Sequence, residues 1–356
     1  MCHDFGHDLR VEELELDQAA DGEVTVAVSA CGVCHSDIAF MDGAWGGDLP
    51  AVYGHEVAGV VTHVGEGVAS VRAGDSAVVT LVRSCGRCYF CLHGDVTQCT
   101  GQFPIDSPGP LRAGGARVKQ AMHVGGFAEA VTVDASQVVR IDADIPRSSA
   151  CLLACAVATG FGAVHTTARV IEGASVAVIG VGGVGINAIQ GARLARAEPV
   201  IAVDVSGSRL ELAARFGAHQ LVNGKDGAVD RVRDLTGGRG ADYTFICVGA
   251  AAAALQGIEM TRRGGTVVVV GIPPTGVTAE IDLGLVADSG MRLMGSKMGS
   301  LRPQVDIPAM VALYRDGKLK LDELVTGTFE LERINDAIAS SRRGEGLRNV
   351  VLMPAG

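Results

Sequence analysis

Between Ser175 and Asp204 the sequence reads S-V-A-V-I-G-V-G-G-V-G-I-N-A-I-Q-G-A-R-L-A-R-A-E-P-V-I-A-V-D. Val176 to Ile179 is a short, fully apolar run, the pattern of a strand buried on both faces in a parallel sheet. Gly180, Gly182 and Gly185 follow in G-x-G-x-x-G order, and an Ala/Ile/Leu-rich helical segment opens behind them. A second apolar run, Val200 to Val203, ends on Asp204. Strand, glycine turn, helix, strand and acid in this register dictate a βαβ unit. In such a unit Gly180 permits the tight turn, Gly182 lets backbone approach a pyrophosphate, and Gly185 lets helix and strand pack closely. The helix start at Gly183 and Val184 offers free N–H groups to the phosphates. Asp204 is placed to accept hydrogen bonds from an adenosine ribose and to repel a 2′-phosphate, which predicts NAD over NADP.

The 356 residues are enough for two domains, and 48% hydrophobic with 20% charged residues describes an ordered globular chain. A net charge of -10 argues against nucleic acid or an anionic membrane as partner. No uninterrupted apolar run is long enough to span a bilayer, and the N-terminus lacks the apolar core of a signal peptide. A cytoplasmic location is therefore expected. In a reducing compartment, ten cysteines point to metal ligands more than to disulfides.

Residues 9 to 30 alternate apolar and polar (Leu9, Val11, Leu14, Leu16, then Val24, Val26, Val28) around the turn-like Ala-Ala-Asp-Gly, which predicts an antiparallel hairpin. Cys31-Gly-Val-Cys34-His-Ser-Asp37 comes next, then Trp45, then Tyr53-Gly-His55-Glu56 and an apolar strand over residues 57–64. Cys85, Cys88, Cys91 and Cys99 arrive as C-x-x-C-x-x-C-x7-C. Each C-x-x-C step lets a tight turn aim two thiolates at one ion, and four thiolates close a tetrahedral zinc site with no open position. Such a site is structural. Residues 101–120, rich in proline and glycine, read as an irregular exposed loop. Phe127 to Val133 returns to strand alternation, and residues 150–162 read as helical. After Asp204, helix and strand alternate through Tyr243–Val248 and Gly265–Gly271, the doubly wound rhythm.

Cys34, His55, Cys155, the four-cysteine lobe and the glycine turn together resemble the zinc-dependent medium-chain alcohol dehydrogenases, over nearly the whole chain. The resemblance implies an α/β architecture: a Rossmann doubly wound parallel sheet plus a discontinuous, GroES-like β-barrel catalytic domain. The implied segments are 1–155 and 292–356 for the catalytic domain and 156–291 for the NAD-binding domain. It makes Cys34, His55 and Cys155 the ligands of a catalytic zinc, the second of two per chain. Two thiolates and an imidazole leave a fourth tetrahedral position open for water or substrate. Ser36 is expected to bond the substrate oxygen and begin the proton relay, and Asp37 to orient His55. Glu56 matches an alternative ligand beside the metal. His35 and Arg348 are expected at the cofactor pyrophosphate, Thr159 beside the nicotinamide, and Arg209 beside the adenosine.

Three positions depart from the family pattern. Ala39 stands where many members carry the histidine that ends the relay, Leu81 where an aromatic commonly narrows the substrate pocket, and Trp45 where the substrate channel begins. The chain also starts close to its first strand pattern, which suggests an upstream start. The expected reaction oxidises a primary or secondary alcohol to an aldehyde or ketone with NAD, or runs in reverse, in a homodimer or homotetramer. A glutathione-adduct formaldehyde dehydrogenase is the alternative; it shares both zinc sites but normally has a longer segment before Gly-His-Glu. A non-catalytic member of the fold ranks lower, because all three catalytic ligands are intact.

Overall fold

A computed structural model describes residues 1–225 and 227–354. The chain divides into two units, Met1–Cys155 with Arg302–Gly356, and Ala156–Leu301. The second boundary lies ten residues beyond the expected 291. Arg292–Gly295 is a strand that pairs in parallel with residues 266–269, so it completes the sheet of the second unit instead of opening the next segment.

The first unit is built on a seven-stranded sheet in which Glu23–Gly32 is central. It pairs antiparallel with Glu56–Val64, Ala130–Asp134 and Arg348–Leu352, so the two ends of the chain meet in one sheet. Its alternation does what the sequence demands: Val24, Val26 and Val28 point into the core with 4% exposure or less. Each such burial stabilises the fold by about 1.5–3 kcal/mol.

Two expectations fail here. Residues 9–16 do not pair with residues 24–28 as a hairpin. Only Glu15–Leu16 is a strand, and its partner is Leu111–Ala113. Asp17 is held toward the same distant segment, by its N–H to the Pro110 carbonyl and by a 2.8 Å ion pair with Arg112. The 101–120 segment is also more ordered than a loop. Leu111–Ala113 turns back on Ala116–Arg117, and Leu111 and Val118 are buried, so its glycines serve a tight reversal.

The second unit is a six-stranded parallel sheet. Its order is Gln220–Asn223, Val200–Asp204, Val176–Ile179, Ala241–Ile246, Thr261–Val269, Arg292–Gly295. Numbered along the chain this is 3-2-1-4-5-6, the doubly wound dinucleotide-binding order. All five residues of Val200–Asp204 are buried, as expected for a strand covered on both faces. Among the described residues no single helix is long and apolar enough to cross a membrane.

Candidate active site and cofactor turn

The catalytic ligand set comes together from three distant segments, all in the first unit. Cys34 caps a short helix, His35–Met41. His55 follows the sheet-entering turn, and Cys155 sits at a break between two helical stretches, with φ -144° and ψ -70°. The helix expected over residues 150–162 is therefore interrupted at the ligand itself. Cys151–Ala154 is a 3-10 turn, Ala156–Gly162 resumes the helix, and the break turns the thiol away from the helical ladder. Thr80 fixes the break from outside, its hydroxyl donating to the Ala154 carbonyl at 2.7 Å. No sequence signal points to Thr80.

Cys34, His55, Glu56 and Cys155 each bring a ligand atom within 4.8 Å of the others, and all four are buried. Asp37, fully buried, ties the cluster together. Its Oδ1 accepts the Gly54 N–H at 2.8 Å and bonds His55 Nδ1 at 3.1 Å, while Oδ2 accepts the Cys34 N–H at 3.2 Å. With Nδ1 donating to a carboxylate, Nε2 is the ring nitrogen left to face the thiols. That nitrogen is buried and has no hydrogen-bond partner. A buried imidazole nitrogen left bare beside two thiols and a carboxylate is what a zinc ion requires of its ligands.

The electrostatics agree. A hydrogen bond from Cys155 and the neighbouring His55 hold the Cys34 thiol well below its ordinary value, against burial. The Cys155 thiol is pushed well up, first by that same hydrogen bond and then by burial, so the pair shares one negative charge. Desolvation opposes a charged His55, yet Asp37 and Cys34 raise it well above its ordinary range. The pocket favours positive charge. Burial raises Glu56 to about 7 although Arg348 lies beside it.

Arg348 is only 5% exposed and its guanidinium pairs with Glu56 in the interior, with Nε left without a partner. Its established contact is thus with the carboxylate next to the metal ligands. Ser36 is half-buried and its backbone N–H reaches the Cys34 sulfur at 3.5 Å. His35 is exposed, and Ala39 puts no titratable group behind Ser36. Trp45 is half-buried, its ring edge-to-face with Phe40 at 5.0 Å. Leu81 packs against the barrel core.

The four-cysteine cluster is different in kind. Cys85, Cys88, Cys91 and Cys99 are half-exposed and within mutual ligand distance. Backbone N–H groups of Cys85, Cys88, Cys91 and Gly101 point at its sulfurs from 3.3 to 3.5 Å. The donors at Cys88 lower its thiol to about 6, while burial raises Cys91 to about 12.

In the second unit the glycine turn fits its expected roles. Gly180 has φ +83°, and a Cβ on Gly185 would lie 2.0 Å from the Gly180 carbonyl oxygen. A Cβ on Gly182 would meet nothing within 4 Å, so the backbone there is open to a ligand. Gly182 caps the Gly183–Leu194 helix, with Val184 in its first turn. Asp204 accepts the Val181 N–H at 2.9 Å through Oδ2 and the Ser206 N–H at 2.9 Å through Oδ1. It closes the turn on one side and is 6% exposed. Arg209 is half-buried and forms no ion pair among the described residues. The Thr159 hydroxyl contacts the Met298 sulfur at 3.6 Å.

Residues 20–143 match the family described as the alcohol dehydrogenase GroES-like domain, and residues 183–316 match the zinc-binding dehydrogenase family. The chain is 35% identical to an NDMA-dependent alcohol dehydrogenase of Amycolatopsis methanolica, over 100% of this chain and 98% of that protein. The chain belongs to the zinc-dependent medium-chain alcohol dehydrogenases. It is an oxidoreductase with zinc and NAD(P) as cofactors, and its Rossmann and GroES-like parts are those of the family. It is also 35% identical to an S-(hydroxymethyl)glutathione dehydrogenase of Komagataella pastoris, over 98% of this chain and 95% of that one. The benzyl alcohol dehydrogenase of Acinetobacter calcoaceticus superposes with a TM-score of 0.93 at 29% identity, covering 99% of this chain and 98% of its own.

Proposed function

We propose that the protein oxidises a primary or secondary alcohol to an aldehyde or ketone with NAD as hydride acceptor, or runs the reverse reduction. The observation that carries this reading is the bare His55 Nε2, buried among Cys34, Cys155 and Glu56 with Asp37 locking its other nitrogen. Cys34, His55 and Cys155 would hold a zinc ion, whose Lewis acidity would lower the pKa of a bound alcohol and ease loss of hydride from its carbon. Asp37 holds the imidazole in the tautomer that leaves Nε2 unprotonated. The Ser36 hydroxyl takes the substrate proton. Beyond it Ala39 offers no relay group, so the proton would leave through the ribose and water or by another group. His35 and Arg348 serve the pyrophosphate, Thr159 the nicotinamide side and Arg209 the adenosine. Glu56 holds Arg348 beside the metal ligands.

NAD is favoured over NADP by Asp204. Its carboxylate has lone pairs left after the two backbone bonds, and a 2′-phosphate would meet its charge at close range. At an effective dielectric near 20 the repulsion is on the order of a few kcal/mol, ~100-fold or more in affinity. The second zinc, at Cys85, Cys88, Cys91 and Cys99, is structural. We take the enzyme to be cytoplasmic and a homodimer or homotetramer. The glutathione-adduct reading is not favoured: the short Gly46–Pro50 segment offers one acid, Asp48, whose side chain is 83% exposed and lies 3.9 Å from Lys119.

The test is a panel of aliphatic, aromatic and glutathione-linked alcohols with purified enzyme, following NADH absorbance with NAD and with NADP. Turnover of simple alcohols with NAD, and a preference eroded by Asp204→Ala, is expected. Equal use of NADP by the unaltered enzyme contradicts the cofactor reading, and turnover of the glutathione adduct alone contradicts the substrate reading.

A further inference from the structure

Away from the metal clusters, the first unit contains a cavity of about 430 Å³. Its floor is apolar: Leu9, Val52, Leu111, Phe127 and Ile334 all line it and are all buried. Tyr53 interrupts that floor. It is 3% exposed, and its phenolic hydroxyl has no protein hydrogen-bond partner among the described residues, yet it is not among the polar atoms sealed from solvent. At neutral pH it is an uncharged phenol that both donates and accepts. A buried polar group without a protein partner needs one from a ligand or from water.

The rim has the opposite chemistry. Glu12, Glu13, Glu129 and Glu332 line it, against two cations, the Arg10 guanidinium and the Met1 ammonium, whose N–H donates to the Arg10 carbonyl. Glu12 is paired with His3 at 3.0 Å, but Glu13, Glu129 and Glu332 form no ion pair among the described residues. One wall is the Val11–Leu14 segment, whose backbone makes no hydrogen bond among the described residues. Its backbone is held at its ends, by the Arg10 N–H on the Met1 carbonyl at 2.9 Å and by the Glu15–Arg112 pairing, and between them only the Glu12 side chain is paired, with His3.

A hydrocarbon floor with one unpaired phenol, under a rim of unpaired carboxylates, selects a ligand that is apolar in its body, cationic at one end and hydrogen-bonding at the other. We infer that this cavity binds a small amphiphilic amine, with its ammonium among Glu13, Glu129 and Glu332, its body over Phe127 and Ile334, and a distal polar atom on Tyr53. Such a ligand also ties the Val11–Leu14 wall to the sheet, so binding raises thermal stability.

Tyramine is a probe of this shape, titrated calorimetrically into the zinc-loaded enzyme, with phenethylamine, 4-ethylphenol and 3-(4-hydroxyphenyl)propanoate as controls. One tyramine per chain is expected, and the neutral and anionic analogues bind at least tenfold more weakly. Glu129→Gln with Glu332→Gln weakens tyramine about tenfold. Tyr53→Phe weakens tyramine severalfold but leaves phenethylamine unchanged. Val11→Trp, at a half-exposed position on this wall, closes the cavity and abolishes binding while alcohol oxidation persists. The inference is overturned if tyramine does not bind at millimolar concentration, if the carboxylate analogue binds equally, or if binding survives both Val11→Trp and the double glutamate change.

Discussion

The two cysteine clusters of the barrel unit use the same chemistry and are assembled in opposite ways. Cys85, Cys88, Cys91 and Cys99 lie within fifteen residues of one another, half-exposed, their sulfurs supported by the N–H groups of their own turns. Cys34, His55 and Cys155 span more than a hundred residues of chain and are buried, and a fully buried Asp37 positions Cys34 and His55 from behind. The local cluster satisfies itself and pins a lobe that has little apolar core. The distributed cluster exists only because the sheet, the Cys34 helix cap and the break at Cys155 are already in place. Three protein ligands on a zinc ion would leave a coordination position for chemistry, which four thiolates would not.

The largest expected effect separates the two clusters directly. Cys34→Ser removes a ligand from the distributed site, so turnover falls to background while the thermal midpoint stays near that of the unaltered protein. Far-UV circular dichroism and NADH formation together check this. Cys91→Ser does the reverse, because a closed zinc site contributes its binding energy to folding. A lowered midpoint or failed assembly comes first, and activity is lost only in proportion to unfolded protein. Selective loss of kcat with unchanged stability would place chemistry at the wrong cluster.

A finer test leaves every ligand intact. Asp37→Asn keeps the shape behind His55 but weakens the hold on Nδ1, and outer-shell changes of this kind cost about 10–100-fold in metal affinity or activity. The loss is confined to one of two zinc ions, read by chelator competition. Equal loss of both would mean that Asp37 supports the fold and not the site. Smallest is Gly101→Ala. A Cβ there would sit 2.4 Å from the Cys85 Cβ and 2.7 Å from its sulfur, so the four-cysteine turn has to shift. About 1–3 kcal/mol of destabilisation is expected, with kcat unchanged at temperatures where the protein is folded.

The same contrast explains what could be read in the sequence. The glycine turn and the four-cysteine lobe are legible because their physics is local: a few residues fix the turn, and the turn fixes the ligands. The doubly wound parallel sheet follows from the β/α rhythm, although its sixth strand, Arg292–Gly295, lies beyond the expected boundary. The first strand was misjudged because alternation says that residues 9–16 are extended without saying with what they pair, and their partner at Leu111 lies almost a hundred residues away. The order within 101–120 was hidden for the same reason: its glycines suggest irregularity, and only burial of Leu111 and Val118 makes a hairpin of it. Cys155 was found through its neighbours, but the break that aims it was not, since Ala150 to Gly162 carries good helical composition throughout. The Arg348–Glu56 pair was equally out of reach, as both residues matched other roles and no periodicity links positions 292 apart.

The central claim is that chemistry resides at Cys34, His55 and Cys155 and stability at the four-cysteine lobe. The most direct measurement is zinc content per folded chain, taken with alcohol-dependent NADH formation, for the unaltered protein and for Cys155→Ser. Two zinc ions with activity, falling to one zinc without activity in a protein that still folds, is the predicted result. Near-normal turnover by Cys155→Ser with one zinc missing would contradict it.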